Sequence, residues 1–122
     1  MAKKILIIED EKQLREIYIQ KISQTGFEVI SATDGEEGFR LAKQEKPDLI
    51  LLDILLPKNN GIYFLKKLRE APETSTIRVV AFSNFDDPQM KGKAMGLGVL
   101  DYLIKTNYTP RQIVEKIKGY LR

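Results

Sequence analysis

Four apolar runs that do not alternate with polar residues constrain this chain most: Ile5-Leu6-Ile7-Ile8, Leu49-Ile50-Leu51-Leu52, Val79-Val80-Ala81-Phe82 and the shorter Tyr102-Leu103-Ile104. A strand with one face in water alternates. Continuous runs of aliphatic and β-branched residues are what strands look like when both sheet faces are covered, as in parallel sheets. The stretch Phe27 to Ala32 alternates better and suits an edge strand. Between the runs the spacing becomes helical. Leu14, Ile17, Tyr18 and Ile22 share one face before Gly26, Phe39, Leu41 and Ala42 mark a second helix ahead of Pro47, and Ile62, Leu65 and Leu68 mark a third. Asp87-Pro88 opens a fourth that ends near Gly96 or Gly98, and Thr109-Pro110-Arg111-Gln112 opens a fifth with a capping box and a proline at the first helical position. Strand and helix alternate five times, which gives an α/β fold: a parallel sheet with helices on both faces, as one domain over residues 1–122.

Composition removes several classes of chemistry. With no cysteine there is no disulfide, thiolate nucleophile or Cys-based metal site, and with no histidine the commonest general base is missing. No apolar run approaches the length that spans a bilayer and Met1 to Lys4 lead directly into a strand, so the reading is of a cytoplasmic chain without a membrane partner. The net charge of +3 hides an asymmetry. Residues 1–61 carry 9 basic and 11 acidic groups, residues 62–122 carry 11 and 6. The basic groups are scattered over helix surfaces without interleaved aromatics, so direct nucleic-acid binding is not expected, and Lys91, Lys93, Arg111, Lys116 and Lys118 are read as an output face for an acidic partner.

Open parallel sheets place their sites outside the carboxyl ends of the strands, where strand order reverses. The polar residues closing the runs are Glu9-Asp10-Glu11, Asp53, Ser83-Asn84 and Lys105. Singly each has an ordinary explanation, a helix cap for Asp10 or a solvated side chain for Lys105. Together they do not, because the first and third strands of such a sheet are neighbours, and Glu9, Asp10 and Asp53 then converge. Clustered carboxylates share protons, pair with cations or bind a hard metal, and an oxygen-rich pocket suits Mg²⁺. A metal ion, a lysine and a serine hydroxyl around one carboxylate are what attack on a phosphoryl donor needs.

The segments Lys-Ile-Leu-Ile-Ile-Glu-Asp-Glu at 4–11, Leu-Leu-Asp-Ile-Leu-Leu-Pro-Lys-Asn-Asn-Gly at 51–61 and Asp-Tyr-Leu-Ile-Lys at 101–105, with Ser83, resemble bacterial two-component response-regulator receiver domains of the single-domain, chemotaxis-regulator type. The resemblance covers the whole chain. It implies a flavodoxin-like five-stranded parallel sheet of order 2-1-3-4-5 with five helices. It also implies a phosphorylation-dependent switch in a phosphorelay, not an enzyme acting on other substrates. By it Asp53 would accept a phosphoryl group from a histidine kinase or phosphotransfer protein. Asp10, Asp53 and the Leu55 carbonyl would bind Mg²⁺, with Glu9 acting through water. Ser83 and Lys105 would hold the phosphate, and Tyr102 would swing inward as Ser83 moves. The surface of the fourth helix, fifth strand and fifth helix would then be read by a downstream protein or by an effector domain no longer attached.

Two residues depart from that pattern. Thr106 follows Lys105 where receivers usually have proline, so the peptide there is either trans or strained, and Asn84 stands where a small residue is usual. Leu55 and Phe85 are apolar at positions that in receivers influence attack of water on the acyl phosphate, so the resemblance implies slow self-dephosphorylation. The alternatives fare worse or stay open. A phosphatase with an aspartate nucleophile needs a second acid where Leu55 stands, and a nucleotide binder needs a glycine-rich loop where Glu9-Asp10-Glu11 would repel phosphate. A receiver-like docking module that is never phosphorylated is the remaining alternative.

Overall fold

In the computed structural model, which describes residues 2–56, 60–84 and 86–121, strands and helices alternate through the chain. They are β1 (Lys4–Ile8), α1 (Lys12–Ser23), β2 (Glu28–Ala32), α2 (Gly35–Glu45), β3 (Leu49–Asp53), α3 (Gly61–Glu70), β4 (Val79–Ser83), α4 (Pro88–Gly96), β5 (Asp101–Ile104) and α5 (Pro110–Tyr120). The sheet is parallel throughout, in the order β2-β1-β3-β4-β5. The expected fold is the one observed.

The unbroken apolar runs are explained by the two cores they feed. Side chains alternate across a strand, so Leu6, Ile8, Ile50, Leu52, Val79 and Ala81 face α2, α3 and α4, whereas Ile5, Ile7, Leu49, Leu51, Val80 and Phe82 face α1 and α5. Burying each such side chain contributes roughly 1.5–3 kcal/mol. β2, at the edge, has only Ala32 fully buried. On α1 the expected apolar face is narrower than its spacing suggested: Tyr18 and Ile22 are buried, but Ile17 stands at the rim, 41% exposed.

The caps fall where side-chain oxygens meet free backbone N–H groups. Asp87 accepts from Gln89 and Met90 ahead of α4, and Thr109 and Gln112 close the capping box of α5. Asp34 and Asn60 cap α2 and α3 in the same way, which the apolar spacing alone did not reveal. Gly38 lets α2 approach the sheet, because a Cβ there would stand 2.5 Å from the Ile8 side chain. Gly92, inside α4, is different: open space surrounds the place of its Cβ and its φ is not positive. Nothing in the packing asks for glycine there. Gly92→Ala is therefore expected to stabilise the chain by about 0.5–1 kcal/mol, measured as a higher urea midpoint at unchanged slope; a lower midpoint would show that the helix needs the glycine.

Candidate functional site

β1, β3, β4 and β5 deliver their terminal polar residues to one corner, at the point where the sheet order reverses between β1 and β3. Glu9 follows β1 directly, its N–H donating to the Ala32 carbonyl at 3.1 Å, so that residue still rides on the sheet. Asp53 closes β3 and is paired in register with Phe82. Carboxylate oxygens of Glu9, Asp10 and Asp53 lie within 4.8 Å of one another. Glu9 and Asp53 are buried and Asp10 is exposed, so the cluster has a dry side and a wet side.

Lys105 balances the dry side. Its side chain, 8% exposed, places Nζ 2.8 Å from Glu9 Oε1 and 3.2 Å from Asp53 Oδ2. The same ammonium lies over the Phe82 ring, 4.7 Å from its centre, and that ring is itself held edge-on by Tyr18. The proline usual after such a lysine is not required to place it. All peptide bonds of the described residues are trans, and Lys105–Asn107 form a short 3₁₀ turn.

Both carboxylates have further donors. Glu9 Oε2 accepts from the Glu11 N–H at 3.2 Å, and Asp53 Oδ1 accepts from the Leu55 N–H at 3.0 Å. The Glu9 carboxyl is pushed up to about 7, chiefly by burial; the Lys105 hydrogen bond pulls it back and the charge of Asp53 adds to the rise. Among the described residues, one buried ammonium beside three carboxylates leaves a corner in which ionised Glu9 is costly. Hard, closely spaced oxygen donors with an open exposed side fit a small divalent cation such as Mg²⁺.

The other expected residues are placed as follows. Ser83 is buried at the end of β4, and Asn84 beyond it is exposed. Tyr102 lies one strand over and is already inward, 7% exposed. Its hydroxyl is buried without a well-formed hydrogen bond, and burial raises its pKa, with Ser83 opposing and Asp87, Asp86 and Asp53 adding to the rise. Leu55 is exposed, and Pro57 and Phe85 lie outside the described residues. Gly61 has a geometric reason to be glycine: a Cβ would stand 2.6 Å from the Ile54 Cα and 3.0 Å from the Asp53 carbonyl, and its N–H donates to the Ile54 carbonyl at 2.7 Å. The start of α3 thus rests directly on the end of β3.

Two site neighbours were not foreseen from sequence. Phe82 was assigned only to a strand, yet its ring carries Lys105. Arg15, on the first turns of α1, donates from Nη1 to the carbonyls of Glu9 (3.0 Å) and Asp10 (3.4 Å). Asp10 does not cap α1; the cap is Glu11, whose side chain makes no capping bond.

Residues 5–118 match the family described as the response regulator receiver domain. The chain is a response regulator receiver domain. The receiver is 36% identical over 122 residues to the alkaline phosphatase synthesis transcriptional regulatory protein PhoP of Bacillus subtilis, covering 100% of this chain and 50% of that protein. It spans about half the length of the curated relatives it matches. Among solved structures, the CheY-like receiver domain protein of Methanospirillum hungatei superposes with a TM-score of 0.91 at 26% identity, over 99% of this receiver and 94% of that chain. The Mn²⁺-bound form of response regulator Rcp1 superposes with a TM-score of 0.85 at 26% identity, over 98% and 94%. Receivers of this family work in two-component systems between histidine kinases and downstream effectors. No helix among the described residues is long and apolar enough to cross a membrane.

Proposed function

We infer that Asp53 is the phosphoacceptor of this receiver. The observation that carries the reading is the reach of Lys105 to both Asp53 and Glu9 inside the three-carboxylate corner. That pairing puts a nucleophilic oxygen, a fixed positive charge and a cation site in one place. The chain has no histidine, so the donor is a phosphohistidine of another molecule, a histidine kinase or a phosphotransfer protein. An Asp53 carboxylate oxygen attacks phosphorus as the P–N bond breaks, and the imidazole leaves with the electron pair and takes up a proton. Glu9, Asp10, Asp53 and the Leu55 carbonyl are the residues that would hold Mg²⁺, and the Mn²⁺-bound relative supports a divalent ion. When bound, the ion offsets negative charge on the transferred phosphoryl oxygens.

The remaining residues respond to the new charge. Lys105 pairs with a phosphate oxygen, Ser83 donates its hydroxyl, and the inward Tyr102 follows Ser83. The switched surface is α4, β5 and α5, where Lys91, Lys93 and Arg111 are exposed. Its reader is a downstream protein or an effector domain of a longer protein, as the half-length match to transcriptional regulators suggests. Beyond its own phosphoryl transfer and a slow hydrolysis, the receiver performs no chemistry on this reading, and it works in the cytoplasm.

The test is incubation with a small acyl-phosphate donor and Mg²⁺, followed by intact mass measurement. Wild type is expected to gain one phosphoryl group only when Mg²⁺ is present, and Asp53→Asn to gain none. Leu55→Asn is expected to shorten the lifetime of the adduct by giving water a polar approach. No Mg²⁺-dependent adduct in wild type would favour a docking module that is never phosphorylated.

A further inference from the structure

We propose that Arg15 is the positioning residue of the acidic corner. It fixes the backbone from which Glu9 and Asp10 reach toward Asp53, and so sets the affinity of that corner for a divalent cation without touching the cation. The inference rests on the metal site of the preceding reading and adds to it a residue outside the set of ligands.

The case begins with Asp10, the exposed member of the cluster. Glu9 and Asp53 are each held by Lys105 and by a backbone N–H, whereas Asp10 takes part in none of the ion pairs among the described residues. The place of its carboxylate therefore follows from the backbone at 9–11. That backbone has few ties of its own. Upstream, the Glu9 N–H is fixed to β2 through Ala32; downstream, the Glu11 N–H is fixed by the Glu9 carboxylate. α1 begins without a capping side chain, so the helix start does not tighten the loop.

Arg15 supplies the missing tie. It sits one helical turn after Glu11, its N–H donating to the Glu11 carbonyl at 2.9 Å, and its side chain turns back over the loop. One guanidinium nitrogen spans the carbonyls of Glu9 and Asp10, and it is the side chain that reaches Asp10 itself among the described residues. Its charge also offsets repulsion along Glu9-Asp10-Glu11. Arginine suits the task because the guanidinium stays charged and the two N–H groups of Nη1, one for each carbonyl, are held in plane by the rest of the group; a lysine would keep the charge but carry its donors on a freely rotating head at the end of a flexible stem. Groups that orient metal ligands from outside typically change affinity 10–100-fold when removed.

The experiment is titration of the unphosphorylated chain with Mn²⁺, followed by the loss of the free-ion paramagnetic resonance signal, in wild type, Arg15→Ala, Arg15→Gln and Arg15→Lys. The alanine variant is expected to bind about tenfold more weakly, with a cooperative unfolding transition retained. The lysine variant is expected to recover less than half of that loss. Should the alanine variant fail to fold, the glutamine variant, which keeps the stem packing, carries the same comparison. Wild-type affinity in Arg15→Ala or Arg15→Gln would overturn the proposal, and so would full recovery in Arg15→Lys, which would show that charge alone matters. Absence of Mn²⁺ binding by wild type would instead bring down the metal site itself.

Discussion

Replacing Arg69 by alanine is expected to lower the unfolding free energy by about 3 kcal/mol, although Arg69 lies far from the acidic corner. Its guanidinium donates to four carbonyls in two separate connections: Ser75 (3.0 Å) and Ile77 (2.6 Å) ahead of β4, and Leu97 (2.8 Å) and Gly98 (3.2 Å) ahead of β5. One side chain of α3 thus gathers the entries of two strands. A hydrogen bond to a charged group contributes roughly 1.5–3 kcal/mol, so simple addition would overshoot. Two effects reduce the sum. Burial disfavours the cation, which is why the Arg69 pKa is lowered, and the Gly98 carbonyl is reached at an exposed rim where water can replace the guanidinium. Urea denaturation of Arg69→Ala and Arg69→Lys measures the loss, and lysine is expected to restore less than half of it because it cannot fork to both connections. A loss under about 1 kcal/mol would mean that water serves all four carbonyls equally well. Phosphoryl transfer should be little changed, since the clamp sits at the opposite end of the strands from Asp53.

The sequence disclosed what periodicity and chain order control. Runs such as Leu49-Ile50-Leu51-Leu52 read as buried strands because both faces are covered, and Asp87-Pro88 and Thr109-Pro110 read as helix starts because capping is local chemistry. Glu9, Asp10, Asp53, Ser83 and Lys105 were found through topology: once the strands were ordered, their ends had to meet. What stayed hidden was long-range or conformational. Arg15 and Arg69 look like solvated helix cations until the fold brings carbonyls to them, the latter across 28 residues from Leu97. Phe82 reads as one more strand residue, and only the packed sheet reveals Lys105 above its ring. A glycine inside a helix costs propensity, and only the packed fold, with Ile8 against the place of its Cβ, explains Gly38 in α2. The inward Tyr102 and the trans turn after Lys105 are choices between conformers that spacing does not encode.

Lys105 itself gives the largest expected effect on chemistry. Lys105→Met is expected to slow formation of the Asp53 adduct about 100-fold at saturating Mg²⁺, with a cooperative fold retained. Among the described residues the lysine is the cation that reaches the Asp53 carboxylate, at 3.2 Å, and its side chain is buried where charge interactions are weakly screened. Negative charge spreads over the transferred oxygens at the transition state, so a cation fixed there beforehand stabilises it more than the ground state. Methionine keeps an unbranched stem of similar length over Phe82 but removes the charge. The fold tolerates this because Glu9, already pushed up to about 7 with the lysine in place, can take a proton instead of remaining an unpaired anion. Intact mass measured over time with a small acyl-phosphate donor gives the rate, and Mg²⁺ saturation separates a loss of charge stabilisation from a loss of metal. A rate within threefold of wild type would assign Lys105 to bridging Glu9 and Asp53 against their mutual repulsion, a structural role, and would leave the metal and backbone donors to carry the transfer.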